Sequence, residues 1–262
     1  MEIIINGFII IIGLIIGSFL NVCIYRIPEN QSIVSPPSHC NKCNNTLRII
    51  DLIPVISYLM LRGKCRYCKE KVSVRYMAVE LLTGILFLLV YNHHNNNIET
   101  IYYLILVSIL VIISFIDIDH YIIPDTLIIF GIIVAISFNV LTGFMSFKDV
   151  FLGGLICGGS ILFFIYVLEF IIKKEVMGGG DIKLFAMIGM FLGIKGGFIT
   201  IILSIYLGAI YGIWTIVYTK IKSIKYDSVI PYGPFISLGA IIYILYGQSI
   251  IGIYKDFFTD LL

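Results

Sequence analysis

The chain has 262 residues, of which 59% are hydrophobic and only 13% charged, and its mean hydropathy is +1.02. This composition excludes a soluble globular domain and predicts a polytopic membrane protein. The net charge of +2 is small, and we expect no nucleic acid among its partners.

Eight apolar runs are long enough to cross a bilayer, so we expect an all-α polytopic membrane protein with about eight transmembrane helices. No Lys or Arg precedes Arg26, so the first run lacks the basic start of a cleaved signal peptide and is interpreted as a retained helix. The run at 182–194 would span only about 20 Å, so either Lys195 snorkels outward or Asp181 lies slightly below the membrane surface. The eight runs are 3–24, 77–91, 100–116, 126–143, 150–172, 182–194, 197–219 and 232–250.

The positions of the basic residues predict which loops face the cytoplasm, because Lys and Arg are enriched in cytoplasmic loops. Of the 18 Lys and Arg residues, 15 fall on one face: nine between residues 26 and 75, three around a glycine loop near residue 179, and three between residues 220 and 225. The pattern predicts that this face is cytoplasmic and that both termini lie outside. The polar run at 93–97 is then expected to be an outer loop.

Four cysteines form two pairs, Cys40-Asn41-Lys42-Cys43 and Cys65-Arg66-Tyr67-Cys68, with 21 residues between them. This spacing is typical of a zinc ribbon, and four thiolates suit a structural Zn²⁺ ion in tetrahedral coordination. A cytoplasmic loop keeps its thiols reduced, which argues against disulfides. His39, next to Cys40, is an alternative ligand. We therefore expect a small cytoplasmic zinc-ribbon-like insertion at 26–76, after a first transmembrane helix at 1–25.

The stretch 47–61 between the cysteine pairs is mostly apolar and is interrupted by Pro54. A loop of this size has little hydrophobic core of its own, so a bound metal would supply much of its stability. We expect the apolar stretch to pack onto the membrane surface or against the helices.

Three acidic residues, Asp117, Asp119 and Asp125, follow the third apolar run, with no Lys or Arg among them. Ionisable residues at a membrane boundary are costly and indicate a functional site. If the third helix continues, Asp117 and Asp119 are about 200° apart around it, so at most one of them faces a given partner. Asp125 is expected to be the N-cap of the fourth span. His120 is interpreted as an interfacial residue, with a general base as the weaker possibility.

A further acidic residue, Asp181, follows Gly178, Gly179 and Gly180 at the start of the sixth apolar run. The three glycines let another part of the chain approach closely. Two carboxylates from separate helices can hold a water molecule between them and share one proton, because like charges this close cannot both ionise. The ionised carboxylate would then activate water while the protonated one polarises a peptide carbonyl.

Taken together, these residues resemble the type IV prepilin peptidases, bacterial members of the Gly-x-Gly-Asp membrane aspartyl proteases. The resemblance covers nearly the whole chain, although Met77 stands where that family commonly has Pro. The residues that carry it are Gly17-Ser18-Phe19-Leu20-Asn21-Val22, Tyr25-Arg26-Ile27-Pro28, both cysteine pairs, Leu61-Arg62-Gly63-Lys64-Cys65, Arg75-Tyr76, Val79-Glu80-Leu81-Leu82-Thr83, Asp117, Pro124-Asp125, Gly178-Gly179-Gly180-Asp181-Ile182-Lys183-Leu184 and Pro231-Tyr232-Gly233-Pro234-Phe235.

The resemblance implies an endopeptidase that removes the short basic leader of type IV prepilins or pseudopilins at the cytoplasmic face of the bacterial inner membrane. It maps the catalytic pair onto Asp117 and Asp181, in a peptidase domain at 77–262. It also implies N-methylation of the new first residue with S-adenosylmethionine, for which the sequence shows no glycine-rich nucleotide loop. The residues expected to support the catalytic pair are Gly178, Gly179, Gly180, Asp119, Asp125 and Lys183.

Two other classes of protein fit parts of the pattern. A proton-coupled transporter also has intramembrane acids and glycine-broken helices, but the acids here lie at one face and no two-fold repeat is visible. A zinc loop that docks onto a secretion or pilus assembly, with the helices as its anchor, would leave the acidic pair unexplained.

Overall fold

The computed structural model describes residues 2–94, 98–174, 177–222 and 230–259. The predicted all-α fold is confirmed, since these residues contain only helices, turns and two isolated β-bridges. The polar run at 93–97 is predicted to be an outer loop, but its first two residues, 93 and 94, are the last residues of a helix. Residues 95–97 and 223–229 lie outside the described ranges. The helices are α1 (Glu2–Arg26), a short 3-10 helix (Ile49–Leu52), α2 (Ile56–Met60), α3 (Val74–His94), α4 (Ile98–His120), α5 (Asp125–Thr142), α6 (Phe147–Ile172), α7 (Gly179–Lys222) and α8 (Gly233–Thr259).

Seven of the described helices are long and apolar enough to cross a membrane, whereas the sequence has eight apolar runs. The difference lies in α7, which covers the two predicted spans at 182–194 and 197–219. Gly193 inside α7 has φ 69° and ψ −178°, a conformation outside the helical region that glycine adopts without a steric penalty. The helical path therefore breaks at Gly193, and the two segments of α7 correspond to the two predicted spans.

The chain divides into two compact units, Met1–Ile112 and Ile113–Leu262, with the boundary inside α4. In the first unit α1 packs along α3. Gly17 lets the two backbones approach closely, because a Cβ atom there would lie 2.8 Å from Cα of Glu80. Asn21 Nδ2 donates to the carbonyl oxygen of Tyr76 at 3.0 Å and so joins the last turns of α1 to the start of α3. The division of the chain at residues 25 and 76 stays a prediction.

In the second unit α7 contacts α5, α6 and α8. Its contact with α6 is very close, because Gly153 has no room for a side chain against the carbonyl group of Gly189. The first segment of α7 is also the most buried part of this unit, with Leu184, Phe185 and Met187 inside the core. A well-packed helix of this kind holds the residues at its first turn in a defined position, and Asp181 is one of them.

Candidate active site and metal centre

Asp117 lies one turn before the end of α4, and its side chain points into the second unit. The residue is only 5% exposed, whereas its neighbours Ile118, Asp119 and His120 are exposed. The expectation that Asp117 and Asp119 face different sides of the helix is therefore confirmed. The chain turns sharply after α4, because Tyr121 adopts a left-handed conformation with φ 55°.

The carboxylate of Asp117 is held by the first residue of α8. The backbone N–H of Gly233 donates to Asp117 Oδ2 at 2.7 Å, and this hydrogen bond is buried. A carboxylate at a helix N-terminus is favourable, because it pairs with an N–H group that has no partner inside the helix. A side chain at this position would displace the carboxylate, since a Cβ atom on residue 233 would lie 2.9 Å from the same Oδ2 atom.

Asp181 lies in the first turn of α7, directly after the three glycines. Gly178 is adjacent to its side chain, because a Cβ atom on that glycine would lie 3.5 Å from Asp181 Oδ2. Gly180 faces Ile123, which follows α4 on the other side of the site, with only 3.0 Å between a Cβ atom placed on Gly180 and Cβ of Ile123. The glycine loop thus brings the start of α7 against the segment between α4 and α5.

A cavity of about 460 Å³ opens where these segments meet, and both Asp117 and Asp181 line it. The two side chains are close enough for their charges to interact. An open cavity with two carboxyl groups from separate helices can admit an extended peptide and hold a water molecule beside it. The other lining residues are Tyr121, Ile122, Ile123, Asp125, Gly178, Gly179, Gly180 and Lys183. Of the residues predicted to support the catalytic pair, Asp119 alone does not line this cavity.

The prediction that Asp125 caps α5 is wrong. Pro124 occupies the N-cap position and Asp125 is the first residue of the helix. Its carboxylate instead accepts two hydrogen bonds from Nζ of Lys183, at 2.7 Å and 2.9 Å. Lys183 follows Asp181 by two residues on α7, so this exposed ion pair ties the start of α5 to the start of α7 at the rim of the cavity.

Tyr232 and Gly233 belong to the site, although the sequence analysis gave them no role in it. Burial raises the pKa of the Tyr232 phenol, and the charge on Asp181 raises it further. Its ring packs against Gly208 of α7. The sequence signal for both residues is the pattern Pro231-Tyr232-Gly233-Pro234, which marks a helix start that is rich in turn residues.

The two cysteine pairs of the first unit fold into the same kind of turn. Cys40 accepts a backbone hydrogen bond from Asn44 at 2.8 Å, and Cys65 accepts one from Lys69 at 3.1 Å. The residue that closes each turn is left-handed, with φ 55° at Asn44 and 59° at Lys69. A repeated turn of this type presents both sulfur atoms of each pair to one point.

The four sulfur atoms of Cys40, Cys43, Cys65 and Cys68 lie within 4.8 Å of one another. The Sγ atoms of Cys40 and Cys68 are 3.8 Å apart, and a tetrahedral Zn²⁺ site with bonds of about 2.3 Å requires sulfur atoms about 3.8 Å apart. The donor set therefore fits Zn²⁺. His39 is outside this cluster, and its Nδ1 atom lies 3.1 Å from the carbonyl oxygen of Pro37.

No residues of the first unit are assigned to S-adenosylmethionine. A cavity of about 240 Å³ lies beside the first cysteine turn, but it is below the volume of about 300 Å³ at which small-molecule sites begin. It offers no carboxylate for the ribose hydroxyl groups. Its lining residues are Pro36, Pro37, His39, Asn44 and Thr46.

Comparison with known proteins places this arrangement in a family. Residues 11–94 match the bacterial peptidase A24 N-terminal domain, and residues 104–213 match the type IV leader peptidase family. The chain belongs to this family. The two matches cover the cysteine turns, Asp117 and Asp181, but Gly233 lies beyond them.

Several relatives carry the name prepilin leader peptidase/N-methyltransferase. The chain is 35% identical to the one from Bacillus subtilis, over 93% of this chain and 95% of the relative. It is 33% identical to the one from Aeromonas salmonicida, over 91% and 89% respectively. A match to Myxococcus xanthus is 38% identical over 79% of this chain but only 62% of that relative. No solved structure gave a significant match.

Proposed function

We propose that the protein removes the leader peptide of type IV prepilins or pseudopilins, with Asp117 and Asp181 as its catalytic pair, and N-methylates the newly exposed residue. The observation that carries the peptidase assignment is that these two carboxyl groups, from α4 and α7, line one open cavity. The names of the relatives support both activities. Family membership also favours this function over a transporter or a docking anchor.

The Gly233 hydrogen bond restricts how the two carboxyl groups share a proton. Asp117 Oδ2 accepts from the Gly233 N–H, so a proton on this carboxyl group resides on Oδ1. Because both residues line the cavity, this Oδ1 atom is the one that would share a proton with the Asp181 carboxylate. This arrangement leaves one ionised oxygen to activate water and one protonated oxygen to bind the substrate carbonyl.

Hydrolysis follows from these roles. Water attacks the carbonyl carbon of the scissile bond, the ionised carboxylate takes a proton from the water, and the protonated carboxyl group gives its proton to the carbonyl oxygen. The tetrahedral diol then collapses: one of its hydroxyl groups returns a proton to the ionised carboxylate, the C–N bond breaks, and the leaving nitrogen takes a proton from the other carboxyl group. One proton remains shared between Asp117 and Asp181, so the site is ready for another cycle.

The distribution of basic residues supports a cytoplasmic position for this site and outer positions for both termini. The bacterial relatives favour the inner (cytoplasmic) membrane as its location. A basic leader would be attracted by the acidic residues around the cavity. Lys183 offsets the charge of Asp125, so the charge shared by Asp117 and Asp181 in the cavity supplies most of this attraction. Zn²⁺ on the four cysteines has a structural role, because all four coordination positions are filled by protein.

Purified full-length protein incubated with a prepilin, with and without S-adenosylmethionine, tests both activities by product mass. We expect loss of the leader in both reactions and one added methyl group on the mature chain when the cofactor is present. The variant in which both Asp117 and Asp181 are replaced by Asn controls for contaminating proteases. Intact substrate after incubation with the unchanged protein would contradict the peptidase assignment, and cleavage without methylation would contradict the second activity.

A further inference from the structure

An exposed apolar surface lies between the two cysteine pairs of the first unit. Ile49 is 87% exposed and Met60 is 78% exposed, and no charged residue occurs between Leu52 and Leu61. A contiguous apolar surface on a folded chain indicates contact with another body. This surface, called the apolar segment below, consists of Ile49, Ile50, Leu52, Ile53, Ile56, Leu59 and Met60.

A hydrogen bond to Glu80 fixes the position of the apolar segment along the axes of α1 and α3. The N–H of Val55, in the middle of the segment, donates to Glu80 Oε2 at 2.8 Å. Glu80 is buried where α3 contacts Gly17 of α1. It is the seventh residue of α3, so its Cα lies about 9 Å along the helix axis from Val74. The apolar segment therefore lies alongside α1 and α3 and not beyond their ends.

The backbone conformation of Val55 shows that the fold determines where the apolar segment lies. Val55 has φ 62° and ψ −51°, and the N–H of Ile56 donates back to the carbonyl oxygen of Pro54 at 2.5 Å. A positive φ is unfavourable for a β-branched residue and persists only where the surroundings hold it. The hydrogen bond from Val55 to the buried Glu80 provides such a hold.

The position of the apolar segment beside the membrane helices indicates that lipid covers it. Close to Glu80 along the two membrane helices, the apolar side chains of Phe19 on α1 and Leu82 on α3 are also exposed. A bilayer that covers these helices would also cover the segment, since both lie at the same depth. Exposed apolar side chains that enter the boundary between headgroups and acyl chains strengthen membrane binding, because their apolar area is removed from water.

Charge gives the second argument for lipid. Arg48 and Arg62 are exposed and flank the two ends of the apolar segment. Guanidinium groups at the edge of an inserted surface are well placed for the phosphates of anionic lipids. The one acidic residue inside the stretch, Asp51, does not oppose insertion, because its side chain is 2% exposed and is paired with Arg66 at 2.6 Å.

We propose that the apolar segment inserts into the interfacial layer of the bilayer, with Arg48 and Arg62 on lipid phosphates. The ion pair between Asp51 and Arg66 joins this segment to the second cysteine turn. The metal site is therefore held at the membrane surface and does not move freely above it. The proposal is independent of the catalytic assignment, because every residue that carries it lies in the first unit.

Tryptophan fluorescence in lipid vesicles tests the insertion. The chain has a single tryptophan, Trp214, so a Trp214→Phe background removes the native signal. In that background Ile50→Trp and Met60→Trp place a probe on the apolar segment, and Asn41→Trp places a matched exposed probe on the first cysteine turn. Each full-length variant is reconstituted into phosphatidylcholine and phosphatidylglycerol vesicles whose acyl chains carry bromine near the headgroup, and iodide serves as the aqueous quencher.

We expect the bromolipid to remove about half of the fluorescence at residues 50 and 60 and little at residue 41, with iodide giving the opposite order. Equal quenching of all three probes by iodide would overturn the proposal. Protection of residues 50 and 60 from both quenchers would also overturn it, since a protein partner or a second copy would then cover the segment. The substitutions Arg48→Gln and Arg62→Gln, added to the probe variants, should weaken quenching by bromolipid in vesicles that contain phosphatidylglycerol but not in vesicles of phosphatidylcholine alone. Unchanged quenching in the vesicles with phosphatidylglycerol would contradict the contact with lipid phosphates.

Discussion

The backbone N–H of Gly233 donates a 2.7 Å hydrogen bond to Oδ2 of Asp117, although the two residues are 116 positions apart in the sequence. This contact orients one carboxyl group of the candidate catalytic pair from the first residue of α8. Through this contact α8, which supplies no acidic residue to the site, helps to position a carboxyl group in the cavity.

Gly233→Ala keeps the N–H donor but is expected to lower kcat for leader cleavage by about 10²-fold, an effect comparable with the loss of one preorganised interaction from an active site. A Cβ atom on residue 233 would lie 2.9 Å from Asp117 Oδ2 and would displace the carboxylate, while substrate contacts elsewhere in the cavity remain. Steady-state kinetics should therefore show a fall in kcat with KM changed by less than severalfold. Gly212→Ala on α7 is the matched control, since a Cβ atom there meets only Ile230 Cδ1 at 3.9 Å. A variant with normal kcat would show that the added Cβ atom does not disturb the catalytic position of Asp117, which would contradict this prediction.

Lys183→Met is expected to reduce cleavage moderately and to change the free energy of unfolding by less than about 1 kcal/mol, because exposed ion pairs contribute little to stability. Without the ion pair between Lys183 and Asp125, the start of α5 is no longer joined to the start of α7, which carries Asp181. Asp125→Asn should have a similar effect on kcat/KM. If the pair acts by positioning, the exchanged variant Asp125→Lys with Lys183→Asp should recover part of the activity. Failure of the exchange, together with full activity of Asp125→Asn, would assign the effect to Lys183 alone.

Cys65→Ser should reduce bound zinc from one ion per chain to almost none, because the remaining three thiolates leave the tetrahedral site incomplete. Elemental analysis of the purified protein measures this directly. Cys23→Ala is the control, since Cys23 is buried in α1 and lies outside the cluster. Acidification should also release the metal, because protons compete for thiolates. One zinc ion per chain in Cys65→Ser would contradict the four-cysteine site.

Much of the site is predictable from residues with a strong local signal. Asp117 and Asp181 stand out because ionisable residues are rare at the ends of apolar runs, and the cysteine pairs stand out by spacing. The difference between Asp117 and Asp119 follows from helical geometry alone. The apolar runs also indicate the helices, and even the break in α7 was visible as two separate spans.

The remaining features depend on contacts between distant parts of the chain. Asp125 has the local pattern of an N-cap, but Lys183, 58 residues later, captures its carboxylate. Gly233 acts through a backbone N–H, which every residue except proline possesses, so composition gives no sign of its role. Val55 in the apolar segment takes a conformation that its own side chain disfavours, because Glu80, 25 residues later, holds it.

Leader cleavage by three single variants, measured by product mass over time, tests the central claim most directly. Asp117→Asn and Asp181→Asn each remove one member of the pair, and we expect each to abolish cleavage while the protein still inserts and binds zinc. Asp119→Asn, exposed and outside the cavity lining, should retain most of the activity. Substantial cleavage by Asp117→Asn or Asp181→Asn would contradict the account.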